Sequence, residues 1–272
     1  LELDSGSSVT TETLKVVSYN ILEGMKLDKD NNYDNFVAWV SEQAPDILAI
    51  EETNGFTKET LTALANRWGH SHAEICKETG YPVSLTSKYP IEVISRIRKG
   101  VSHGGIHAQI KGINILVLHL YPQSYAPSGS TAANGDAYRL EEIQTYLDNT
   151  VRKYPDEKYW LMMGDFNSAS PLDKNDLASG SNINYQGHQT ILDSGYRDPI
   201  REMNVNFVRS CPTVYGGWTG PTGSYKGSRI DFIYASGEAM RNMLNAQILM
   251  DDFTDNYSDH YPVTVTCRIY NK

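Results

Sequence analysis

Short apolar runs rich in β-branched and aromatic residues recur along the chain, and each is typical of a buried strand. The first run covers residues 14–22 and the second covers residues 46–52. Between these two strands, apolar residues at helical spacing predict an amphipathic helix over 33–43. After the second strand, a similar pattern predicts another helix over 57–68. The first quarter of the chain therefore alternates strand and helix, which is typical of an α/β fold.

The middle of the chain changes to closely spaced short strands joined by tight turns. Five strands are predicted, over residues 72–76, 83–86, 91–97, 105–110 and 113–120. The dipeptide Lys111-Gly112 separates the last two and is typical of a hairpin turn. Strands in this part of the chain are therefore expected to pair in antiparallel fashion.

A long loop, a helix and further strands complete the pattern. Residues 122–135 are rich in Ser, Ala, Gly and Pro and predict a loop of the kind that often faces a substrate. A helix over 136–153 leads to the apolar run 160–163, which stops at Gly164. Loop-rich sequence follows, and the remaining predicted elements are a helix over 189–193 and strands over 228–235 and 263–270.

This order of elements predicts two packed sheets with helices outside, in a single domain over residues 14–272. Residues 1–13, rich in Ser, Thr and Glu, are expected to form a flexible leader. The leader begins without methionine and without a basic-plus-apolar signal, so a removed export signal and a trimmed chain are both open. A secreted or periplasmic location is the expectation.

Composition narrows the classes of partner. The formal net charge is −9, which argues against a protein that grips nucleic acid through a broad basic surface. It does not exclude a nuclease, because a bound cation offsets the charge of an acidic metal site. No apolar run reaches the roughly 18 residues of a membrane span. The cysteines Cys76, Cys211 and Cys267 are too scattered for a disulfide framework, and we expect three buried thiols, with one disulfide as the alternative.

Polar side chains occur where several of the predicted strands end. Asp165 follows Gly164 directly, and Asn167 comes two residues later. If the strand geometry continues, alternation places both on one side of the backbone and turns Phe166 into the core. An acid and an amide in that position can bind a hard cation and hydrogen-bond a phosphoryl oxygen. The alternative is an ordinary strand end with an Asx-type turn.

Other strands carry polar residues of the same kind: Asn20, Glu51, Glu52, His119, Asp231, Asp259 and His260. Alternation sends Glu51 and Glu52 to opposite faces, so one of them can face a metal ion. Asp231 lies inside a predicted apolar strand, where an acid needs a cation, a histidine or several donors.

Taken singly, these residues have ordinary interpretations. Asn20 can be a satisfied buried amide, and Asp259 with His260 can form a turn. A histidine on an apolar strand, such as His119, is more often a core residue than a catalyst. We interpret His103 and His107 as core histidines.

The whole set, in this order, resembles the endonuclease/exonuclease/phosphatase superfamily, which includes pancreatic-type deoxyribonucleases, apurinic endonucleases, neutral sphingomyelinases and inositol polyphosphate 5-phosphatases. The most specific segments are Gly164-Asp165-Phe166-Asn167, Ser258-Asp259-His260 and Arg229-Ile230-Asp231-Phe232. The resemblance runs from about Lys15 to the end of the chain. It implies a four-layer α/β sandwich and metal-dependent hydrolysis of a phosphate ester by an activated water.

The resemblance also implies roles for individual residues. The implied metal ligands are Asn20, Glu52 and Asp259, and the implied cofactor is Mg²⁺, with Mn²⁺ or Ca²⁺ as alternatives. The implied catalytic residues are His119, Asp165, Asn167, Asp231 and His260. Asp165 would activate the water, and His260, oriented by Asp231, would contact the scissile phosphate. Asn167 and His119 would also bind the substrate, although some members of the family carry tyrosine at the position of His119.

The substrate stays open at this point. Basic residues that a nuclease could use are Arg96, Arg98, Lys99, Arg139 and Lys226, but the net acidity disfavours strong, length-dependent DNA binding. The Trp-Cys-Asp-Arg-type signature of 5-phosphatases is absent. Tyr125, in the 122–135 loop, is predicted to contact the substrate, and Gly216-Gly217-Trp218 could also contact a lipid.

The candidate substrates are a nucleic acid, a lipid headgroup or a small phosphodiester. We expect the protein to be a monomer. The rival interpretation is a non-catalytic binding module of the same fold. Such a module would be expected to have lost at least one of the catalytic positions, and all of them are present.

Overall fold

Two six-stranded sheets are stacked face to face in the computed structural model, which describes residues 10–270. In that range the strands are β1 (Thr11–Asn20), β2 (Ile47–Glu51), β3 (His72–Ile75), β4 (Ser84–Ser87), β5 (Glu92–Ile97), β6 (Gly105–Ile110), β7 (Ile113–His119), β8 (Trp160–Asp165), β9 (Tyr196–Arg197), β10 (Asp231–Ser236), β11 (Met243–Ile248) and β12 (Val263–Tyr270). The first sheet has the order β11-β12-β1-β2-β4-β3, and the second has the order β5-β6-β7-β8-β10-β9. Only β1–β2 and β7–β8 pair in parallel, so both sheets are mixed and mainly antiparallel, as predicted.

Helices cover the outer faces of both sheets. They are α1 (Leu22–Met25), α2 (Asp34–Gln43), α3 (Lys58–Asn66), α4 (Gly135–Asn149), α5 (Gln186–Asp193), α6 (Pro199–Met203), α7 (Gly237–Arg241) and α8 (Asp252–Tyr257). Short 3-10 turns occur at Lys29–Asn31, Pro171–Asp173 and Gly180–Asn182. Among the described residues, no helix combines the length and apolarity needed to cross a membrane.

Alternation along the strands builds three apolar layers. In β1, Leu14 and Val16 pack between the two sheets, whereas Val17 and Tyr19 pack with side chains of α2 and α3. The second sheet repeats the arrangement, because β7 sends alternate residues to the central layer and to the layer under α4 and α5. The predicted four-layer sandwich, helix–sheet–sheet–helix, is therefore confirmed.

The pairing of the central strands collects their polar ends at one edge of the sandwich. Parallel pairing places Asn20 opposite Glu51 at the ends of β1 and β2, and His119 opposite Asp165 at the ends of β7 and β8. Antiparallel pairing places Asp231, the first residue of β10, opposite Asp165. Residues that are far apart in the sequence therefore meet at one edge.

Some sequence predictions need correction. The strand β1 begins at Thr11, inside the predicted leader, because residues 11–13 pair with the end of β12; residues 1–9 lie outside the described range. Asp231 starts β10 and does not lie inside a strand. The strand β11 and the helices α6 to α8 escaped prediction because they are short and their apolar residues show little periodicity. All three cysteines are free thiols, and Cys211 is only partly buried.

Candidate active site

Asp165 lies at the centre of a buried polar cluster at this edge. Its Oδ2 accepts a hydrogen bond from Asn20 Nδ2 at 3.0 Å, across 145 residues of sequence. The same oxygen lies 3.5 Å from His119 Nε2 and 3.7 Å from His260 Nε2. One carboxylate oxygen thus collects an amide and two imidazoles from three other segments of the chain.

Gly164 allows the strands to pair up to the edge of the cluster. It is paired with Leu118 on β7, and its φ is +143°. A Cβ at this position would lie 1.8 Å from the Leu118 carbonyl oxygen. Only glycine permits this approach, so the glycine that ends the apolar run also sets the position of Asp165.

His260 is paired with a second carboxylate. Its Nδ1 lies 2.9 Å and 3.0 Å from the two carboxylate oxygens of Asp231. Ser210 supports that carboxylate by donating from Oγ to Asp231 Oδ2 at 2.6 Å. Burial opposes a charge on the ring, but the carboxylates of Asp231 and Asp165 outweigh it and raise the pKa of His260 well above its usual range. His260 is therefore a buried imidazolium at neutral pH.

The pKa of Asp165 is shifted toward neutrality. Burial raises it to about 7, the nearby Asp231 carboxylate adds to the rise, and the His260 charge counteracts part of it. A carboxylate with a pKa near the working pH is suited to accept a proton and release it again. Asp165 has the location and the basicity that a general base needs.

His119 has the opposite electrostatics. It is buried, and burial, followed by the neighbouring His103 and His260, lowers the pKa of its ring well below the usual range. Its Nε2 faces Asp165. Its Nδ1 is buried and has no hydrogen-bond partner among residues 10–270. His119 is therefore a neutral imidazole.

Asn167 reaches the cluster through a turn, which corrects the expectation of a continuing strand. The strand β8 ends at Asp165, and Asn167 adopts φ +46°. Its backbone N–H donates to Asp165 Oδ1 at 2.8 Å, which is an Asx-type turn, and Phe166 is buried as expected. The Asn167 amide donates one hydrogen to the Leu120 carbonyl at 2.9 Å and keeps a second for a ligand.

A left-handed turn holds Glu52. The helix α1 is a single turn in which all four residues have φ between 50° and 76°. From this turn, the N–H of Glu23 donates to Glu52 Oε2 at 2.8 Å, and the N–H of Gly24 donates to the Glu52 carbonyl at 2.7 Å. Asn20 Nδ2 lies 3.2 Å from Glu52 Oε1. Consecutive left-handed residues are unfavourable, so the surrounding structure must stabilise this conformation to hold the carboxylate in place.

The residues beside this turn fit a hard divalent cation. Burial raises the pKa of Glu52, and the Asp259 carboxylate acts in the same direction. Glu52 and Asp259 offer carboxylate oxygens, which Mg²⁺ prefers. Asn20 Oδ1 accepts from the Leu22 N–H at 3.1 Å and keeps one lone pair for a ligand. A second group, Asp165 with Asp231 and His260, has donor atoms within 4.8 Å of one another. Within that group, His260 Nδ1 is already paired with Asp231 at 2.9 Å.

Seven of the predicted site residues thus gather in one cluster: Asn20, Glu52, His119, Asp165, Asn167, Asp231 and His260. Asp259 is half-buried and within electrostatic reach of Glu52. Tyr125 is 64% exposed and packs edge-on to Tyr121, with ring centroids 6.5 Å apart. No described contact joins Tyr125 to the cluster, so its role as a substrate contact stays a prediction.

Three residues of the cluster received no specific role from the sequence: Ser258, Glu51 and Ser210. Ser258 Oγ donates to the Asn20 carbonyl at 2.7 Å and accepts from the His260 N–H at 3.3 Å, so it ties two segments together. Glu51 is buried behind the cluster and accepts from Ser18 Oγ at 3.0 Å. Ser258 belongs to the segment Ser258-Asp259-His260, which could have indicated its role, but nothing in the local sequence signals the role of Ser210.

Nothing in the sequence indicated that His103, interpreted as a core histidine, would contact a residue of the cluster. Its half-buried ring stacks on the ring of His119 at a centroid distance of 4.2 Å. His107, in contrast, is a buried histidine hydrogen-bonded to Asn114 at 2.9 Å, as interpreted.

Comparison with known proteins agrees with this architecture. The family model described as "Endonuclease/Exonuclease/phosphatase family" matches residues 17–260. No curated protein matches the sequence. Among solved structures, the chain is similar to an AP endonuclease from Archaeoglobus fulgidus, with a TM-score of 0.67 and 21% identity over 93% of this chain and 98% of that one.

Two Neisseria structures are similar to the same extent. A 3' phosphatase bound to a product DNA hairpin aligns with a TM-score of 0.69 and 18% identity, and a 3'-5' exonuclease from Neisseria meningitidis aligns with 0.67 and 17%. Each alignment covers 93% of this chain and 98% of the other. At these identities, the likeness establishes a shared fold.

Proposed function

Since this chain belongs to the endonuclease/exonuclease/phosphatase family, we propose that it hydrolyses a phosphodiester by in-line attack of a water molecule, with the help of a divalent cation. The observation that carries the proposal is the position of Asp165. Its carboxylate lies between a cationic histidine and a neutral one, with an amide on the same oxygen. A binding module has no need for a carboxylate poised in this way.

In the proposed reaction, Asp165 orients the attacking water and accepts its proton. A carboxyl group with a pKa of about 7 is basic enough to take that proton and can release it after turnover. The turn that joins Asp165 Oδ1 to the Asn167 N–H fixes the carboxylate, so that Oδ2 remains directed into the cluster.

His260 stabilises the charge that develops on the phosphoryl oxygens. Asp231 keeps the ring protonated and fixes Nδ1, so the Nε2–H is available to donate into the site. The second hydrogen of the Asn167 amide adds a neutral donor. A divalent cation held by Glu52, with Asn20 and Asp259, would supply Lewis-acid polarisation of the phosphoryl group. No covalent intermediate with the protein is required.

Nucleic acid is the first candidate substrate. The similar solved structures include an AP endonuclease and a 3' phosphatase bound to a DNA product, and each alignment covers 93% of this chain and 98% of the other. On this proposal, the protein cuts a phosphodiester or removes a terminal phosphate of a nucleic acid.

A small or lipid phosphodiester is the second candidate, and the engagement of the basic residues favours it. Arg96 donates to Glu74, and Arg98 donates to the Cys76 carbonyl. Arg139 is buried and donates to Asp136 and to backbone carbonyls. These three arginines are already paired within the protein, so they are less available to neutralise a long polyanion.

The test is a substrate panel with Mg²⁺, Mn²⁺ or Ca²⁺: duplex DNA, single-stranded oligonucleotide, RNA, sphingomyelin, inositol phosphates and bis-(p-nitrophenyl) phosphate. His260→Ala protein, purified in parallel, controls for contaminating nuclease. Cleavage that is lost in the variant and in EDTA supports the proposal, and the substrate cleaved decides between the two candidates. Absence of turnover on every substrate with every ion would favour a binding module.

A further inference from the structure

The ring of His119 lacks the hydrogen bond that usually orients a functional histidine. A catalytic imidazole commonly has one nitrogen on the reacting partner and the other held by a carboxylate or carbonyl. His260 follows this rule through Asp231. In His119, Nε2 faces Asp165, but Nδ1 has no partner in the range 10–270. Another contact must therefore fix the orientation of this ring.

His103 supplies that contact. Its ring lies on the ring of His119 with centroids 4.2 Å apart and planes inclined by 32°. Its Nδ1 lies 3.2 Å from the His119 carbonyl oxygen, so Nδ1 carries the proton and donates. Burial lowers the pKa of His103 to about 4, which keeps the ring neutral. Tyr81 also packs edge-on to His103, with ring centroids 5.8 Å apart.

A buried carboxylate holds His103 in this position. Glu142, on α4, is fully buried and accepts hydrogen bonds from the N–H and the Oγ of Ser102, both at 2.7 Å. Its second oxygen accepts from the Tyr121 N–H at 2.8 Å. Glu142 therefore ties the residue before His103 to the segment after His119. Burying a carboxylate costs free energy unless hydrogen bonds compensate for the lost contact with water. The hydrogen bonds of Glu142 provide that compensation, and they also connect the two segments that carry His103 and His119.

We propose that His103 is a positioning residue, which holds the His119 imidazole by stacking so that Nε2 is presented to Asp165 and to the substrate. The proposal rests on the proposed function, because it gives a role to a ring beside the proposed general base. Stacking fixes the plane of the ring without adding a charge, and the His119 ring stays a neutral partner beside the cationic His260.

Three variants separate the ring from the hydrogen bond. His103→Phe keeps a flat ring and loses the Nδ1 donor. His103→Gln keeps a donor and loses the ring, and His103→Ala loses both. His72→Ala, in the half-buried edge strand β3 away from the cluster, is the control for loss of a histidine. Each protein is first checked for an unchanged thermal midpoint and unchanged Mg²⁺ affinity by calorimetry.

The first measurement is independent of activity. Imidazole ¹⁵N–¹H spectra of metal-free protein at pH 8 are expected to show His119 as a single neutral tautomer with its proton on Nε2. His103→Phe and His72→Ala should keep this signature, whereas His103→Ala and His103→Gln should show averaged nitrogen shifts. A single unchanged tautomer in His103→Ala would overturn the proposal, even if the enzyme proved inactive on every substrate tested.

The second measurement uses the chromogenic diester with Mg²⁺. We expect His103→Ala and His103→Gln to lower kcat by about tenfold to a hundredfold with KM within about twofold, because misplacing a reacting group affects the chemical step. His103→Phe should recover most of kcat. If His103→Phe were as slow as His103→Ala while folded, stacking would not be the cause and the proposal would fail. If His103→Ala did not fold, the comparison of Phe with Gln decides the same question.

Discussion

His260 and His119 face the same carboxylate oxygen of Asp165, yet the protein keeps the two rings in opposite charge states. Both rings are deeply buried, at 7% and 3% exposure. Burial alone lowers the pKa of an imidazole, so it cannot explain the difference. His260 has the carboxylate of Asp231 on Nδ1. His119 Nδ1 has no hydrogen-bond partner among residues 10–270, and the neutral ring of His103 stacks on the face of its ring.

The presence or absence of a carboxylate on Nδ1 decides the charge of each buried histidine. A carboxylate at 2.9 Å overcomes desolvation and makes an imidazolium that can stabilise negative charge. A stacked ring supplies orientation without charge. The site can therefore place a cationic donor on one side of Asp165 and a neutral imidazole on the other, without two positive charges competing for one carboxylate.

The largest effect is expected from removing the carboxylate that keeps His260 protonated. Asp231→Asn should lower kcat/KM by about a thousandfold. Without the Asp231 carboxylate, less negative charge stabilises the buried imidazolium, so the pKa of His260 falls. The measurement is diester hydrolysis over pH, with His260 titrated by NMR in the same variant. An Asp231→Asn protein that kept both wild-type activity and a protonated His260 at pH 8 would show that Asp231 does not set the charge of His260.

Removing the neutral ring should have a smaller effect. His119→Phe keeps the ring volume in a buried position and removes no formal charge, so we expect a loss of kcat of about tenfold to a hundredfold. The assay is the same diester hydrolysis, run beside Asp231→Asn. A His119→Phe loss equal to that of Asp231→Asn would mean that His119 also carries charge during the reaction.

The stability of the metal-free protein should fall as pH rises. The pKa of Asp165 is raised from 3.8 to about 7, so between these values the folded protein binds more protons than the unfolded chain, and the free energy of unfolding decreases with pH. His260, with its pKa raised above 6.5, acts in the same direction: its contribution is complete below about 6.5 and is lost as pH rises through the folded pKa. His119, with its lowered pKa, acts in the opposite direction.

Urea unfolding in EDTA at pH 5 and pH 8 checks this sign. Between the two pH values, wild type should lose about 2 kcal/mol more stability than Asp165→Asn does. His119→Phe should show a steeper decline than wild type. A wild-type decline no larger than that of Asp165→Asn would show that Asp165 keeps an ordinary pKa in the folded protein.

The smallest effect is expected outside both histidine pairs, at the turn that holds Glu52. A Cβ on Gly24 would lie 2.2 Å from the Asn54 carbonyl oxygen, at φ +76°. Gly24→Ala should therefore displace the turn and weaken Mg²⁺ binding by about tenfold, with kcat at saturating Mg²⁺ nearly unchanged. Gly55→Ala is the matched control, because Gly55 has a similar φ of +79° and open space around it. Equal Mg²⁺ affinities in the two variants, measured by calorimetry, would contradict this role.

Much of the fold follows from local sequence. Apolar periodicity predicted both sheets, the hairpin at Lys111-Gly112 and the final strand Val263–Tyr270, because alternation reports which face of a strand is buried. Polar residues at strand ends marked Asn20, Asp165 and His260 as candidates. The elements that escaped prediction, such as β11, are short, and β11 is largely exposed, so burial imposes little pattern on its sequence.

By itself, the sequence determined which residue types stand at the ends of which strands, because hydrophobic periodicity and turn chemistry act over a few neighbouring residues. Only the tertiary structure decided which of those residues meet. Asn20 and Asp165 share a hydrogen bond across 145 residues, and His103 stacks on His119 rather than lying in a core. Strand register and burial set these contacts, and with them the charge of each histidine, since a pKa depends on neighbours that no local pattern identifies.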